Sequence, residues 1–412
     1  MRPTTDVLIV GAGPTGVVLA IALQRAGIDH ILIDKLLTGQ NTSRAAVIHA
    51  HTLEMLDELG VSSLLADEGL KLAKFTIRDR DRTLLQLRFD GLATPHPYLL
   101  MLPQDVTERV LADRLVALGG TIHRGVTATD LTQDAKGVRV SLTSDAGTHS
   151  IDARYVVGGD GMHSMVRAAA GAEFEGAAYE ESFVLADVSM EWSHGREEVM
   201  LFFSPAGLVV VAPLPNGHFR IVATLESAPE HPNVSDIQTL IDTRGPTAGR
   251  ARVTDVPWSS RFRVHHRLAK SYRNDRLLLM GDAAHVHSPA GGQGMNTGFV
   301  DACVLGRLLT AVVSGKQPES VLDQYQSLRR PAAQKVLDLA GRLTFMATIK
   351  NPAKRLVRNL FLSLINHLSF ATHAVAMNLS GLSRRQHAQI AFRPDGSMSG
   401  GINSITPPPR TS

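Results

Sequence analysis

Three glycine-rich stretches of the chain combine residues that could bind a nucleotide. They are residues 11–16 (GAGPTG), 159–161 (GDG) and 281–285 (GDAAH). Glycine lets the backbone turn tightly and approach a phosphate, and a neighbouring aspartate can accept hydrogen bonds from hydroxyl groups. We therefore expect the three stretches to form one nucleotide site, although they are far apart in the chain.

The first stretch lies between a strand and a helix. An apolar run at 6–10 precedes it, a helical pattern at 15–26 follows, and a second strand at 31–34 completes a β-α-β unit. In this setting Gly11 permits the turn, Gly13 lets the backbone approach a pyrophosphate, and Gly16 lets helix and strand pack closely. The helix N-terminus adds partial positive charge, and Asp34 can accept hydrogen bonds from ribose hydroxyls. The pattern predicts dinucleotide binding without distinguishing FAD from NAD.

The third stretch favours a flavin. It follows an apolar strand at 277–280, and residues 291–296 (GGQGMN) then stand at the head of a long helix. A carboxylate such as Asp282 at a strand end can bind a polyol such as ribityl. Glycines at a helix start let a flat ring lie against backbone N–H groups, where the helix dipole stabilises negative charge near flavin N1. Residues 289–292 (PAGG) would form the wall beneath the ring.

The remaining patterns indicate the elements that position these stretches. A helix at 106–118 begins after Asp105, and Asp105 and Glu108 have the N-cap and N3 spacing of a capping box. A hairpin around 138–147 leads into a strand at 155–157 and the second stretch. From about residue 180 alternating segments and turns indicate an antiparallel sheet. On this sheet we consider Met200, Phe202, Val209, Val211 and Arg220 as cavity lining, with their facing left open.

The predicted fold class is α/β. A Rossmann-like FAD-binding domain with a GxGxxG βαβ unit, residues 1–180 and 270–340, carries an inserted antiparallel β-rich substrate domain at 181–269. A C-terminal helical region at 341–392 and a flexible tail at 393–412 follow. Residues 359–382 lack charged side chains, which favours two helices buried on the protein over peripheral membrane contact.

Composition excludes several classes of protein. The 412 residues are 44% hydrophobic with a formal net charge of +3, and no basic stripe suggests nucleic-acid binding. Cys303 is the single cysteine, so no disulfide framework or cysteine metal cluster is possible. The 17 histidines show no metal-ligand spacing, and His285 and His287 are interpreted as structural. The chain starts directly with a strand, so we expect a cytoplasmic protein without stable membrane insertion.

The sequence resembles the class A flavoprotein aromatic hydroxylases, a family of FAD-dependent monooxygenases like p-hydroxybenzoate hydroxylase, over about residues 5–385. The resemblance is carried by GAGPTG (11–16), GGDGMHSMVR (158–167) and GDAAHVHSPAGGQGMNTGFVDA (281–302). It implies that Arg44 contacts FAD and the entering nicotinamide, that Asp160 serves both cofactors and that Pro289 lies near the oxygen-reacting flavin carbon. Asp160 could instead cap a helix, and Asp301 is interpreted as structural.

The resulting site prediction has two groups of residues. The predicted catalytic residues are Arg44, Pro289 and His49, the last as a base for a phenol. The predicted cofactor-binding residues are Gly11, Gly13, Pro14, Thr15, Gly16, Asp34, Lys35, Arg44, Gln104, Asp160, Arg167, Asp282, Pro289, Gly292, Gly294, Met295 and Asn296. Asn296 and the glycine amides would face the edge of the isoalloxazine ring, and no metal is expected.

The resemblance also implies a reaction. NAD(P)H, a transient co-substrate, would reduce FAD, O₂ would add to give a C4a-hydroperoxide, and a phenolic or polycyclic aromatic would receive the oxygen. Baeyer–Villiger, epoxidising or antibiotic-inactivating oxygen transfer on the same fold stays open, as does a non-catalytic flavin-binding protein. A halogenase is disfavoured because Trp192 and Trp258 are isolated. The sequence does not distinguish a monomer from a homodimer.

Overall fold

The computed structural model describes residues 2–39, 45–225, 229–249, 251–289 and 291–392. Strands and helices alternate in the first third of this part, strands dominate the middle, and helices dominate the end. The strands are β1 (Thr4–Val10), β2 (His30–Asp34), β3 (Val47–Ile48), β4 (Leu70–Leu72), β5 (Lys74–Asp79), β6 (Arg82–Arg88), β7 (Leu99–Met101), β8 (Ile122–Arg124), β9 (Thr127–Gln133), β10 (Val138–Ser144), β11 (Gly147–Gly158), β12 (Phe174–Glu191), β13 (Glu198–Ser204), β14 (Gly207–Pro213), β15 (Phe219–Leu225), β16 (Arg252–Ala269), β17 (Arg273–Asn274), β18 (Leu277–Leu279) and β19 (His285–Val286).

The helices include one long core helix, α7, and a C-terminal run from α8 to α10. They are α1 (Pro14–Arg25), α2 (Ala50–Asp57), α3 (Ser62–Glu68), α4 (Gln104–Ala117), α5 (Met165–Ala169), α6 (Val234–Arg244), α7 (Gly294–Val313), α8 (Asp323–Ala347), α9 (Pro352–Asn366) and α10 (Ser369–Leu379). Short 3-10 turns lie at Gly281–Ala283, Glu319–Leu322 and Leu382–Ala388.

The first sheet brings the three glycine stretches together. Its order is β17-β18-β11-β1-β2-β8, and the five strands from β18 to β8 are parallel to one another. Gly158 at the end of β11 pairs with Val10 at the end of β1 and with Leu279 at the end of β18. Each stretch follows the carboxyl end of one of these strands, where open α/β sheets bind ligands.

The predicted β-α-β unit is present as β1, α1 and β2, and α1 packs between the sheet and α7. The predicted capping box on α4 is wrong. The helix begins at Gln104 with Pro103 as its N-cap residue, and no side chain caps it. Glu108 instead accepts a hydrogen bond from Gln104 Nε2 at 2.8 Å. Proline has no backbone N–H. With Pro103 as the N-cap residue, the start of α4 therefore has one N–H group fewer that lacks a partner within the helix.

The second sheet has the order β19-β16-β12-β15-β14-β13-β5-β6. Its two outer strands at one edge, β5 and β6, come from residues 74–88, and β5 pairs in parallel with β13. The predicted substrate segment at 181–269 therefore omits part of the sheet. A third, small sheet has the order β3-β7-β4.

One face of the second sheet packs on α6, and the other faces a cavity. Met200, Phe202, Val209 and Val211 belong to the α6 side, in a cluster with Ile237, Leu240 and Ile241. The prediction that these four residues line the cavity is therefore wrong. Arg220, the fifth residue considered as cavity lining, does line it. The alternate residues of the same strands face the cavity, because side chains alternate along a strand.

The C-terminal helices differ from the expected buried pair. On α9 the buried positions include Arg358 and Leu362, whereas Leu356, Val357, Leu360, Phe361 and Leu364 are 55–66% exposed. The prediction of a helix pair buried on the protein is therefore wrong for this face. Segments of low charge need not be buried where polar side chains of the same helix take the protein contacts.

Helix α7 is long and apolar enough, among the described helices, to cross a membrane. However, 83% of its most apolar window is buried inside the protein, as in the core helix of a domain. Helices α9 and α10 meet the same criterion only as a pair, and this pair is bent by 102°.

Candidate active site

A cavity of about 1410 Å³ runs from the carboxyl ends of the first sheet to the free face of the second. Sites for one small molecule usually measure about 300–1,000 Å³. The larger volume suits two ligands side by side. All three glycine stretches contribute lining residues at one end, and apolar strand residues line the other.

The first glycine loop has the shape of a pyrophosphate cradle. A Cβ atom on Gly11 would lie 2.4 Å from the carbonyl oxygen of Gly159, and one on Gly16 would lie 1.9 Å from that of Gly11. At Gly13, by contrast, a Cβ would meet none of the described atoms within 4 Å. Gly13 is the N-cap residue of α1, whose first turn carries no acidic residue. Space and partial positive charge thus coincide where an anion would bind.

Asp34 ends β2 beside this loop. Its carboxylate accepts hydrogen bonds from the backbone N–H of Ala12 at 2.7 Å and of Leu36 at 2.8 Å. Each carboxylate oxygen retains further acceptor capacity, so both can also receive ribose hydroxyls. Pro14, Thr15 and Lys35 line the same end of the cavity.

Asp160 lines the cavity and also holds the start of a short helix. Its Oδ2 accepts from the backbone N–H of Met165 at 2.8 Å, so it does cap the short helix α5. Its Oδ1 is buried and has no hydrogen-bond partner in the described part of the chain. Burial raises the pKa of this carboxyl. Because Oδ1 has no accessible surface, it faces the protein beside Gly158, although the residue as a whole lines the cavity.

The third stretch forms the wall expected for a ring. Asp282 is exposed into the cavity after the strand β18, and Pro289, Gly292, Gly294 and Met295 also line it. Gly292 has a φ of +62°, and a Cβ there would lie 2.2 Å from Val47 Cγ1. Only glycine therefore lets this loop lie flat against β3.

Asn296 does not face the ring edge as expected. It is 4% exposed, and its amide donates to the carbonyl oxygens of Val47 at 2.9 Å and Gly292 at 2.7 Å. Its Oδ1 accepts from the backbone N–H of His49 at 2.8 Å. The side chain is thus committed to backbone groups, and its role is to fix the glycine loop against β3. The prediction that it faces the cofactor is corrected accordingly.

His49 is placed beside the cavity but in a poor environment for a base. Its Nε2 lies 2.9 Å from the carbonyl oxygen of Gly291 and 3.1 Å from Gln293 Nε2. Burial lowers the pKa of His49 to about 4. A neutral imidazole with so low a pKa is a weak base near pH 7, so its predicted catalytic role is not supported. His287 lines the same wall, and burial likewise lowers its pKa to about 4.

Two further residues near the nucleotide end were missed by sequence reasoning. Glu108 and Arg124 line the cavity together with Gln104, whose Oε1 accepts from the backbone N–H of Ala45 at 3.1 Å. Arg124 on β8 lies in register with Asp34 on β2. Burial raises the pKa of Glu108. The short strand that follows the double glycine at 119–120 was the sequence signal that could have placed Arg124 at a strand end beside Asp34.

Arg44 lies outside the described residues, so its predicted role is not placed. Arg167 is described, but it does not line the cavity. Its guanidinium donates to the carbonyl oxygens of Met162 at 2.8 Å and Ala283 at 2.9 Å, and it covers the ring of Phe174. It therefore joins the second and third stretches, a positioning role in place of the expected cofactor contact.

Asp301 is structural, as expected. Its carboxylate bonds His285 Nε2 at 2.7 Å and Arg329 Nε at 2.7 Å, with all three side chains buried. Although burial opposes it, Arg329 and His285 lower the pKa of Asp301. The same carboxylate accepts from the backbone N–H of Gly281, at 3.2 Å, and so holds the turn that presents Asp282.

The other end of the cavity is apolar and belongs to the second sheet and the C-terminal helices. Polar groups are few there, and the sequence had indicated only one of them, Arg220. Its side chain forms a bidentate ion pair with Asp187, donates to the carbonyl oxygen of Ala45 at 3.1 Å, and lies over Trp258. Arg261 and His265 also line this region. The apolar lining includes Phe75, Ile77, Leu85, Leu87, Leu99, Met101, Phe183, Leu185, Val199, Leu201, Leu208, Val210, Val222, Leu339, Leu343, Met346 and Leu379.

The residues present fit a dinucleotide with a flat ring. The open space at Gly13, the exposed carboxylate of Asp282 and the flat loop at Gly292 lie along one cavity. The described residues contain no group of three or more His, Cys, Asp or Glu able to hold a metal. Cys303 is buried, and burial raises the pKa of its thiol to about 12, which removes it as a nucleophile.

Comparison with known proteins gives one concordant picture. The sequence family described as FAD binding domain matches residues 4–340. A protein of Streptomyces rimosus named 12-dehydrotetracycline 5-monooxygenase/anhydrotetracycline 6-monooxygenase is 36% identical over 353 residues, 81% of this chain and 68% of that protein. The chain spans about two thirds of the length of the curated relatives it matches.

Solved structures agree. The anhydrotetracycline hydroxylase of Streptomyces rimosus has a TM-score of 0.78 at 33% identity, covering 92% of this chain and 76% of that one. The p-nitrophenol 4-monooxygenase of Pseudomonas putida has a TM-score of 0.83 at 24% identity, covering 92% of this chain and 99% of that one. Because its identity is only 24%, the second similarity supports the fold and nothing further.

Proposed function

Because this chain belongs to the FAD-binding-domain family of flavoprotein aromatic hydroxylases, we propose that it hydroxylates a large, apolar phenol with FAD, NAD(P)H and O₂. The family, the α/β fold class, the FAD cofactor and the monooxygenase class that the sequence predicts are confirmed by this membership. The roles of individual residues and the nature of the substrate are proposals.

At the nucleotide end the chain binds by backbone and carboxylates. The N–H groups around Gly13 and the α1 N-terminus would hold the pyrophosphate, and Asp34 the adenosine ribose. Asp282 would accept hydrogen bonds from the ribityl hydroxyls, and Asp160 would lie beside the cofactor. Residues 291–294 would support the ring, which supplies hydride acceptance and oxygen activation when bound.

One observation carries the substrate proposal: the lining opposite the glycine loop is almost wholly apolar. Side chains of β5, β6, β12, β13, β14 and β15 form one wall, and those of α8 and α10 form the other. Such walls bind a flat hydrocarbon surface and exclude water from the reacting atoms. Two matched sequences and one solved structure, all from Streptomyces rimosus, are named for anhydrotetracycline, which supports a substrate of comparable size.

The polar groups at this end suit a phenol oxygen. Arg220 and Arg261 line the cavity with His265, and a nearby cation favours the ionised form of a phenol. His49, with its pKa of about 4, does not remove that proton. The chain thus contributes by orienting the ring and stabilising its negative charge, rather than by a dedicated base.

The same reasoning orders the alternatives. The aromatic hydroxylases among the matches favour hydroxylation over Baeyer–Villiger, epoxidising or antibiotic-inactivating oxygen transfer and over a non-catalytic flavin protein. NAD(P)H would bind transiently, since the described chain shows one GxGxxG β-α-β unit, whose loop already serves FAD. We also propose a cytoplasmic location, which suits an unpaired, buried Cys303.

Stopped-flow flavin reduction tests the proposal. NADPH or NADH is mixed with the holoenzyme and phenols of one to four fused rings, each paired with its analogue lacking the hydroxyl group. We expect the larger phenols to accelerate flavin reduction most and to gain one oxygen atom from isotope-labelled O₂. Preference for one-ring phenols, or a flavin that neither nicotinamide reduces with any compound, would refute it.

A further inference from the structure

Helix α9 packs with most of its polar side chains toward the protein. Asn359 Nδ2 donates to Asp79 Oδ2 at 2.6 Å, and Asn366 Oδ1 accepts from the backbone N–H of Gln86 at 2.8 Å. Arg358 is buried and donates to the carbonyl oxygen of Met346 at 2.8 Å. A surface helix usually buries its apolar stripe instead. Leu362 and Ile365 also face the protein, but most of the large apolar side chains of α9 lie on its outward side.

The outward side of α9 is a continuous apolar stripe. Leu356, Val357, Leu360, Phe361 and Leu364 follow the spacing of one helical face and are all more than half exposed. Exposed Phe345 of α8 and exposed Phe370 and Val375 of α10 extend the apolar surface onto the neighbouring helices. We call these eight residues the α9 face. Contiguous exposed apolar patches of this kind mark interaction sites.

Positive charge accompanies the α9 face. Residues 339–392 contain no aspartate or glutamate. Arg342, Lys350 and Lys354, near the start of α9, are exposed. The acidic Asp79 lies on the protein side of the helix, where Asn359 binds it. An apolar stripe with a basic border and no acidic residue is the pattern of a helix that lies in the surface of an anionic membrane.

The cavity opens at the same place. Phe361 of the α9 face, together with Ala374, Val375 and Asn378 of α10, lines the cavity while being exposed. Helix α9, at 15 residues, is too short to cross a bilayer, and the bend of 102° to α10 excludes one continuous span. The helix can lie along a surface, with the cavity mouth directed toward it.

We propose that the α9 face docks the protein on an anionic lipid surface, with the cavity mouth against the membrane. Leucine and phenylalanine side chains enter the headgroup boundary, and Lys350, Lys354 and Arg342 lie at the level of the phosphates. If the cavity takes a large apolar phenol, as proposed above, such a compound reaches it directly from lipid. Docking itself does not depend on that activity. A failure of vesicle binding and a failure of turnover can therefore be distinguished by experiment.

Two other occupants fit less well. A second copy related by a two-fold axis would place this basic patch against itself, because such interfaces are self-complementary. It would also cover the cavity mouth. Residues 393–412 follow in the chain, but their only large apolar side chains are Met398, Ile402 and Ile405. These three do not match a stripe of five.

Vesicle flotation of the full-length holoenzyme tests the proposal. We expect the protein to float with phosphatidylglycerol-containing vesicles, to stay behind with pure phosphatidylcholine, and to detach as salt rises from about 0.1 M to about 0.5 M. The double variant Leu356→Glu/Leu360→Glu should lower the partition coefficient at least about tenfold. The matched control Val116→Glu changes an equally exposed apolar residue on α4, away from this face, and should float like the wild type.

A second variant keeps the test independent of folding. Lys350→Gln/Lys354→Gln leaves the apolar stripe intact and should lose the preference for anionic over neutral vesicles. Flavin absorbance and thermal unfolding verify that each variant is folded. The proposal is overturned if the wild type ignores anionic vesicles or if Leu356→Glu/Leu360→Glu floats unchanged. It is also overturned if sedimentation shows a dimer that Leu356→Glu/Leu360→Glu dissociates.

Discussion

The two ends of the cavity are lined by different parts of the chain, backbone at one end and side chains at the other. At the nucleotide end the lining is largely backbone, shaped by glycines whose missing side chains leave room for other main-chain atoms. At the substrate end it is largely side chain, presented by every second residue of a sheet. The first kind of surface is determined by a few consecutive residues. The second is determined by strand facing and by partners far away in the chain.

The contrast predicts different responses to mutation. A backbone-built surface has no tolerance for an added atom where it is closed, whereas a surface built from side chains changes in shape more gradually. The five predictions below compare the two ends, from the largest expected effect to the smallest.

The closed part of the first loop gives the largest effect. In Gly16→Ala the new methyl group would lie 1.9 Å from the carbonyl oxygen of Gly11, so β1 and α1 must separate and both folding and FAD binding should fail. Gly13→Ala is the matched control, since its methyl group enters the cavity. It should unfold like the wild type and lose only FAD affinity. Purified yield, thermal unfolding and bound flavin distinguish the two, and equal behaviour would contradict the backbone-built description.

Arg220 connects the two ends and should rank second. Arg220→Met leaves Asp187 without its bidentate partner and frees the carbonyl oxygen of Ala45, so we expect a loss of about 3–5 kcal/mol in unfolding free energy. The double variant Asp187→Leu/Arg220→Met should recover most of it in urea titrations. If Arg220→Met is as stable as the wild type, the contacts of Arg220 with Asp187 and Ala45 do not stabilise the fold.

Asp282 tests the open part of the nucleotide end. Asp282→Ala should weaken FAD binding about 10–100-fold, because a charged acceptor for the ribityl hydroxyls is lost. Asp282→Asn, which keeps a neutral acceptor, should lose less. Flavin titration of the apoprotein measures both. Stoichiometric flavin in purified Asp282→Ala would show that this aspartate does not hold the cofactor.

His49 predicts a pH dependence. Its folded pKa of about 4 lies below the unfolded value of 6.5, so the stability it contributes is complete above pH 6.5 and declines as pH falls toward 4. From pH 7 to pH 5 this residue alone should cost about 2 kcal/mol of unfolding free energy. His49→Gln should remove that part of the decline while keeping turnover at pH 7. Parallel pH slopes for the two proteins would refute the assignment.

The smallest effect distinguishes the two faces of β14. Val210 lines the cavity, and Val209 packs on the α6 side. Val210→Ala should change the apparent KM for the substrate with little loss of stability. Val209→Ala should lower the unfolding free energy by about 1–2 kcal/mol and leave KM unchanged. The reverse assignment of effects would invert the facing of this strand.

The sequence was informative where the site is local. Gly11, Gly13, Asp34 and Asp282 lie along the cavity where the motifs predict, because a strand, a turn and a helix start are encoded by neighbouring residues. Gly16 does not line the cavity but packs α1 against the Gly11 carbonyl. The substrate sheet was incomplete, because the parallel pairing of β5 with β13 is a long-range contact that leaves no periodic signal. The facing of Val209 and Val210 depends on that pairing.

Two errors have a shared origin in polar contacts between distant elements. Asn296 was expected to face the cofactor, but Val47, Gly292 and His49 supply it with backbone partners. Helix α9 was expected to be buried, but Asp79 and Gln86 bind its polar side and turn the apolar one outward. Neither partner set can be read from the residues near the asparagine or the helix.

The parallel pairing of β5 and β13 also bears on how the chain is made. Thr76 and Glu198, which hydrogen-bond across this pair, are 122 positions apart. While the ribosome is synthesising the residues between them, the edge of β5 that will meet β13 has no strand beside it. Such an edge invites pairing with another chain. A fragment that ends near residue 180 would keep this edge open permanently, so we expect it to aggregate rather than to persist as an isolated nucleotide-binding module.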